Sequence, residues 1–267
     1  MSKIQIGVAC GSNCELYVNF LMKTIENTVS DKKRIEFILG INKPNVDRES
    51  LLKYKDVFNI KIIDALSNEH GSMGHGHCLD KILEQMSSEY GMIVDCDVAF
   101  LEKDWDVKLI NELDDKKIII GAATESNHHH YYNFPFTIMV LFKTKILKTL
   151  NVSFKPKLVD IILTEKNAKL FGREVGDKIH LDTAWQLPLK VKSAGYDGIS
   201  LPLISPRYDH GRENMLFMKE GMRGEEHQLN GVPIFTHVGR SSTRLFSSDP
   251  IVIKWKKRVE EWLEEKR

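Results

Sequence analysis

The sequence predicts an α/β fold, a three-layer α/β/α sandwich around a central, mostly parallel sheet, and three observations carry that prediction. Short β-branched runs alternate with segments of helical periodicity, the pattern of parallel strands joined by right-handed crossovers. Met92-Ile93-Val94 is an apolar run of the kind that is buried on both faces of such a sheet. No internal repeat, low-complexity tract or long Pro/Gly/Ser linker divides the chain, so residues 1–267 are expected to form one continuous domain.

Taken in order, Ile4 to Cys10 is a first strand, Gly11-Ser12-Asn13 a turn, and Glu15 to Val29 a helix in which Leu16, Phe20, Leu21 and Ile25 recur at helical spacing. Arg34 to Ile41 and Ile60 to Asp64 read as strands, with a helix from about Asp47 to Val57 between them. The Gly- and His-rich stretch Asn68 to His77 reads as a loop feeding a helix from about Cys78 to Ser88. A helix near Asp104 to Leu113, strands Lys117 to Ala123 and Phe136 to Phe142, and helices near Lys157 to Phe171 and Asp182 to Ala194 follow. Ser200 to Ile204 and Val232 to His237 are the last strands, separated by a Gly/Arg/Glu-rich loop, and Pro250 to Lys266 is a terminal helix.

Composition narrows the function. Lys and Arg total 38 against 37 Asp and Glu, which lacks the basic footprint of a nucleic-acid binder and favours a small-molecule partner. Cys10, Cys14, Cys78 and Cys96 form no Cys-x-x-Cys pair, and the N-terminal residues lack a signal-peptide layout, so a reduced, cytoplasmic setting is expected. No apolar run approaches the roughly 20 residues that span a bilayer.

The chemistry concentrates at a few places. Asp95-Cys96-Asp97 closes the Met92 strand, and period-two alternation sends both carboxylates to one side wherever the backbone stays extended. Paired hard oxygens there suit Mn²⁺ or Mg²⁺ bridged to substrate phosphates; a solvated acidic turn is the plain alternative. Cys96 between them is expected to point into the opposite layer as core. Gly71 to His77 offers glycines, including Gly74, before a helix start, which favours a diphosphate; a flexible connector fits equally. His70, His75 and His77 can touch phosphate or a sugar hydroxyl, or build a zinc site on His75 and His77. Of His128-His129-His130, at most two can face one pocket. Asp182 either caps the helix it opens, as can Thr183, or serves as a base for a hydroxyl nucleophile. His237 ends a strand and can complete a metal site with Asp97, while Arg240 and Arg244 in the following loop can hold phosphate oxygens or simply be solvated.

In this order the pieces resemble the nucleotide-sugar glycosyltransferases of the GT-A (Rossmann-like) fold, specifically the family-2-like transferases. The resemblance spans about residues 4–245 and rests on Ala9-Cys10-Gly11-Ser12-Asn13, on Gly74 to Leu83, on Asp95-Cys96-Asp97, on Leu181-Asp182-Thr183-Ala184-Trp185 and on His237. It implies a nucleotide-binding half to about residue 100, an acceptor half over about 101–245 and a C-terminal helix over 250–267. It further implies that Asp97 and His237 bind a divalent metal, Asp95 the ribose or the metal's water shell, and Asp182 acts as base of an inverting transfer. Ala9, Cys10, Gly11 and Asn13 would border the nucleobase, and His75, Gly74, Arg240 and Arg244 the diphosphate. The partners implied are a UDP- or GDP-sugar donor and a glycan or other hydroxyl acceptor. Two features depart from the family: the acidic doublet at the base position is Leu181-Asp182, and no Gln-x-x-Arg-Trp signature follows.

Three other readings share parts of this pattern: a metal-dependent hydrolase built on His75, His77, Asp95 and Asp97; a sugar-1-phosphate nucleotidyltransferase, which needs a basic run after its Gly-rich loop that Gly11 to Glu15 lacks; and a non-catalytic nucleotide-sugar binding module. In the terminal helix, Trp255 and Trp262 among Lys and Arg allow peripheral membrane contact, with packing on the protein's own domain as the alternative.

Overall fold

The computed structural model describes residues 2–124, 130–207, 212–239 and 244–266. The chain opens β1 (Ile4–Cys10), α1 (Glu15–Thr28), β2 (Ile35–Ile41), α2 (Arg48–Leu51), β3 (Asn59–Asp64), α3 (Gly71–Gln85) and β4 (Tyr90–Val94). It continues through β5 (Val98–Phe100), α4 (Trp105–Asn111), β6 (Lys117–Ala122), β7 (Phe136–Lys143), α5 (Thr144–Thr149), β8 (Asp160–Ile162), α6 (Glu165–Phe171) and β9 (Lys178–His180). It ends with α7 (Gln186–Ser193), β10 (Asp197–Leu201), β11 (Leu203–Ile204), β12 (Glu225–Leu229), β13 (Val232–His237) and α8 (Pro250–Glu265).

Seven strands form the central sheet in the order β10-β6-β7-β4-β1-β2-β3. β1 runs parallel to β2 and β4, β2 to β3, and β6 to β10; β7 alone is antiparallel to its neighbours. Parallel pairing follows wherever a crossover segment returns the chain to the starting edge, as α1 and α3 do. The sheet is thus mostly parallel, as the alternating pattern predicts.

Side-chain alternation splits its residues between two layers. Ile6 and Val8, Phe37 and Leu39, and Met92 and Val94 face a cluster with α1, α4 and α8. Ile38, Ile93, Val140 and Phe142 face α3, α5 and α7. On that second face Gly7 and Gly40 stand beneath α3, where an added Cβ would lie 2.3 Å from Ile82 Cγ2 and 2.5 Å from Cys78 Sγ. The helix therefore lies close against the sheet, which fixes its N-terminus over the C-terminal ends of β1 and β2.

A second, antiparallel sheet has the order β11-β12-β13-β5. Pro202 stands where the chain leaves one sheet for the other: Leu201 pairs with Ala122, Leu203 with His227.

Several elements differ from the sequence prediction. The helix expected over 47–57 is one turn long, α2, followed by turns. Residues 157–171 divide into β8 and α6, and β8 pairs with β9. The loop expected before Gly231 contains β12. Asn230 and Gly231 both have positive φ, 52° and 77°, the type I′ geometry of a two-residue hairpin, and Asn-Gly is its strongest short signal. The terminal helix is as expected, and Asp249 caps it by accepting from the Ile251 N–H.

The tryptophans of α8 are buried. Trp255 donates its indole N–H to Thr236 Oγ1 at 3.1 Å and Trp262 to the Leu101 carbonyl at 3.2 Å. Each buried indole removes roughly 150–250 Å² from water, worth about 4–6 kcal/mol. Membrane contact through these rings would forfeit that burial, so the packing alternative holds for both of them. No helix among the described residues is long and apolar enough to cross a membrane.

Candidate metal and nucleotide site

The acidic pair reaches its position by a route other than strand alternation. β4 stops at Val94, and Asp95-Cys96-Asp97 is a tight turn closed by the Val98 N–H on the Asp95 carbonyl at 3.3 Å. The turn hands the chain to β5, where Val98 lies opposite His237. The Asp97 carbonyl accepts from the Val238 N–H at 3.2 Å, a second tie between the turn and the end of β13. Ligand atoms of Asp95, Asp97 and His237 consequently lie within 4.8 Å of one another, with His237 Nε2 3.4 Å from Asp97 Oδ1. Cys96 is buried in the core cluster as expected, and it also lines the adjoining cavity.

A fourth group, absent from the sequence reading, holds this cluster in place. Glu225 sits directly across the hairpin from His237, and its Oε1 lies 2.7 Å from His237 Nδ1. A proton on Nδ1 shared with that carboxylate leaves Nε2 directed at Asp97. The next residue, Glu226, points to the opposite face and accepts from the backbone N–H groups of Leu216, Phe217 and Met218. Only the pairing of β12 with β13 distinguishes the two acids, and Asn230-Gly231 was the signal for it.

The electrostatics follow from burial and neighbours. Burial raises the Asp95 carboxyl to about 7, and the Asp97 charge adds to the rise while His237 opposes it. For Glu225, burial alone would raise the carboxyl; the His227 and His237 rings outweigh it and hold the group well below the usual range. His237 shows the converse: burial works against its charge, while Asp97 and Glu225 together hold its pKa well above the ordinary value. Protons here compensate crowded negative charge, the task a divalent cation performs in such a cluster. Two carboxylate oxygens and an imidazole nitrogen are a hard donor set suited to Mn²⁺ or Mg²⁺, and the bond from Glu225 to the distal ring nitrogen is the usual support of a metal-binding histidine. The residues therefore fit the ion.

A cavity of about 540 Å³ opens on this cluster and extends to the ends of β1 and β2. Ala9, Gly11, His75, Asp95, Asp97 and His237 line it, as do Asn42 and Lys43, which the sequence reading did not single out. Cys10 and Asn13 are not among the described lining residues. Alternation sends Cys10 into the core on the other face, and Asn13 stands exposed in the turn at φ 60°. The Asn42 side-chain carbonyl oxygen is buried with no hydrogen-bond partner among the described residues.

The Gly/His stretch is helix rather than loop. α3 begins at Gly71, and its glycines serve close packing: a Cβ at Gly74 would lie 2.7 Å from the Glu69 carbonyl oxygen, one at Gly76 2.7 Å from that of Phe154. Gly74 is thus buried against backbone, away from the cavity. Helical spacing also separates the histidines. His75 faces the cavity, its Nε2 3.7 Å from Asp95 Oδ1, whereas His77, about 200° further around the helix, does not join it. The His75/His77/Asp95/Asp97 cluster needed for the hydrolase reading is therefore not formed. Burial lowers the His75 pKa, with Asp182 and Asp97 opposing.

Asp182 is not among the described residues that line the cavity, although its charge acts on His75, and it caps no helix. β9 ends at His180, Ala184 adopts φ 64°, and α7 starts only at Gln186. The Asp182 carboxylate accepts from the Thr183 N–H at 2.7 Å, and Thr183 lines the cavity. Arg244 lies elsewhere, in a second cavity, with Nη1 3.2 Å from Asp249 Oδ2. Arg240, His128 and His129 lie outside the described residues, while the His130 carbonyl accepts from the Arg173 guanidinium and its ring stacks on Phe136.

A seven-stranded, mostly parallel sheet with an acidic turn at the end of its central strand is the GT-A architecture. The chain is similar to the mannosyltransferase PcManGT of Pyrobaculum calidifontis, solved with GDP-Man and Mn²⁺, at TM-score 0.52 and 12% identity over 75% of this chain and 55% of that one. It is also similar to the glycosyltransferase GlyE of Streptococcus pneumoniae TIGR4, at TM-score 0.52 and 13% identity over 99% of this chain and 63% of that one. The match thus spans less than two thirds of either neighbour, and at these identities the likeness concerns the fold. No family model and no curated protein matches the sequence.

Proposed function

We propose that the protein is a metal-dependent glycosyltransferase that moves a sugar from a nucleoside-diphosphate sugar, with UDP or GDP as the nucleotide, to an acceptor hydroxyl. One observation carries the reading: Asp95, Asp97 and His237 converge in a cavity of about 540 Å³ that Ala9, Gly11 and Asn42, from the ends of β1 and β2, also line. That is room for a nucleoside at one end and its diphosphate at the other. Two further features favour this placement. The N-terminus of α3 bears no side-chain cap, and Gly71 and Ser72 line the cavity, so free N–H groups face the diphosphate end. The unpartnered Asn42 oxygen offers an acceptor to a nucleobase N–H. That PcManGT was solved with GDP-Man and Mn²⁺ agrees with this arrangement.

In this reading Asp97, His237 and Asp95 hold Mn²⁺ or Mg²⁺, which when bound neutralises charge on the departing diphosphate. Glu225 keeps His237 in the tautomer that presents Nε2. Asp182 takes the proton of the acceptor hydroxyl as its oxygen attacks the anomeric carbon, giving inversion. The test is thermal unfolding of the protein with UDP-, GDP-, CMP- and dTDP-sugars, with and without Mn²⁺. Stabilisation by one nucleotide class that requires Mn²⁺ and disappears in Asp97→Ala is expected; stabilisation by none would sink the proposal.

A further inference from the structure

His227, on β12, is a fully buried titratable group outside the cation cluster, and its Nε2 has no hydrogen-bond partner among the described residues. Strand pairing sets its neighbours. Glu225 lies opposite His237, and His227 lies opposite Phe235. Period-two alternation therefore brings these four side chains to one face of the hairpin, with the pair Glu225/His237 next to the pair His227/Phe235.

The His227 ring is fixed on three sides. It stacks on Phe235, with ring centroids 4.5 Å apart and planes 15° from parallel. Its Nδ1 lies 3.4 Å from the Leu201 carbonyl oxygen, at the end of β10. Its Nε2 lies 3.9 Å from Glu225 Oε1, the same oxygen that is 2.7 Å from His237 Nδ1. One carboxylate oxygen thus stands between two imidazoles, one reaching toward Asp97 and the other anchored in the core. A ring N–H at that distance makes no hydrogen bond, yet in a buried setting its attraction for a carboxylate persists. Glu225 carries the mark of both rings: burial works to raise its carboxyl, and His227 and His237 together hold it well below the usual range.

We infer that His227 is a positioning residue of the metal site: it holds the Glu225 carboxylate against His237 Nδ1, and through it keeps His237 Nε2 directed at Asp97 and the cation. A single bond to His237 leaves the Glu225 carboxylate free to pivot toward the cavity. A second imidazole on the core side, itself unable to move, opposes that pivot. The part of the inference that concerns the cation rests on the metal-dependent transfer reading; the hold on Glu225 and His237 is a property of the hairpin alone. In a merely structural role the imidazole would only fill the space beside Phe235, and a phenyl ring would serve as well.

Calorimetric titration with Mn²⁺ compares wild type with His227→Phe, which keeps the stack on Phe235 but removes both nitrogens, and with His227→Gln, whose amide keeps a donor for Glu225. His227→Leu, equally without a donor, replaces the first variant if the phenyl ring is not tolerated. His227→Phe is expected to lose about three- to tenfold in Mn²⁺ affinity, less than removal of the direct partner of His237, with part regained in His227→Gln. In a Glu225→Gln background the same substitution should change affinity by less than about twofold, because the two residues act in one chain. Unchanged affinity in His227→Phe, or an equal loss with and without Glu225, would overturn the inference. A second measurement needs no metal: the His237 Nδ1–H proton, held on a buried carboxylate, is expected as a downfield ring N–H resonance in water that vanishes in His237→Gln. It should shift or broaden in His227→Phe and return in His227→Gln. A resonance unmoved by His227→Phe, or absent from wild type, would refute the positioning role. If wild type binds no Mn²⁺, the metal-dependent transfer reading fails by itself, and the proton resonance decides the role of His227.

Discussion

The floor and the wall of the nucleotide cavity are built on different principles. At the floor, Asp97 is 3% exposed and the side chains of His237 and Glu225 are 13% and 12% exposed, their positions fixed by main-chain pairing and side-chain bonds, while Asp95 is the open member, its side chain 30% exposed. On the wall His75 is half-buried, as is Asp182 next to the lining residue Thr183, and among the described residues the Asp182 carboxylate accepts only from Thr183, its chain neighbour. A buried, interlocked cluster is preorganised before any ligand arrives, which suits the stabilisation of fixed charge. A half-buried carboxylate with few fixed partners suits proton exchange with an incoming substrate. Under the proposed transfer, the contrast separates two tasks by construction: charge would be handled where the two sheets meet, and the proton at the turn that carries Asp182.

Substitutions can break this contrast, beginning with the largest effect. Asp97→Asn is expected to abolish Mn²⁺-dependent stabilisation and to lower transfer by about 10³-fold or more, measured by calorimetry and a donor-turnover assay. Asp182→Asn should lower kcat by about 10²–10⁴-fold while donor affinity stays unchanged; a parallel loss of donor binding would place Asp182 in the floor's role. Glu225→Gln keeps an acceptor for His237 Nδ1 but removes the charge, and a 10–100-fold loss of Mn²⁺ affinity is expected, about the size seen when the outer partner of a metal-binding histidine is removed.

The pH dependence sharpens the same contrast. The Asp95 pKa of about 7 in the folded protein lies above the ordinary 3.8, so the folded state binds this proton more tightly than the unfolded chain. Its contribution to stability is complete below about pH 4 and is lost as pH rises through about 7 in metal-free protein. A cation needs the deprotonated carboxylate, so Mn²⁺ affinity is expected to fall by about tenfold per unit below pH 7. Asp95→Asn should flatten the metal-free melting profile over that window, and melting curves from pH 4 to 8 check it. The smallest effect at the floor is expected from Gly76→Ala, whose Cβ would meet the Phe154 backbone; it should cost about 1–3 kcal/mol of global stability by denaturant unfolding yet leave Mn²⁺ affinity within about twofold.

The sequence by itself determined the first half of the sheet, because each strand there is a local apolar run and each crossover a local periodic segment. It also located Asp95, Asp97 and His237 as candidates, since acids or an imidazole at the end of a buried strand contradict the pattern around them. Other features needed the tertiary structure. Gly74 and Gly76 read as loop residues until backbone from Glu69 and Phe154 is seen pressed against them, and with the helix extended to Gly71 the pairing of His75 with His77 disappears. Asp182 reads as a helix cap until Ala184 is seen to interrupt the helical run. Glu225 and Glu226 are indistinguishable in one dimension, and the hairpin register sends one to His237 and the other to a loop. The second cavity is the extreme case, joining Arg207, Arg223 and Arg244, which no spacing rule connects. Periodicity encodes which face a residue presents within its own element, but which elements meet depends on strand pairing between distant segments, and that is decided only when the whole core closes.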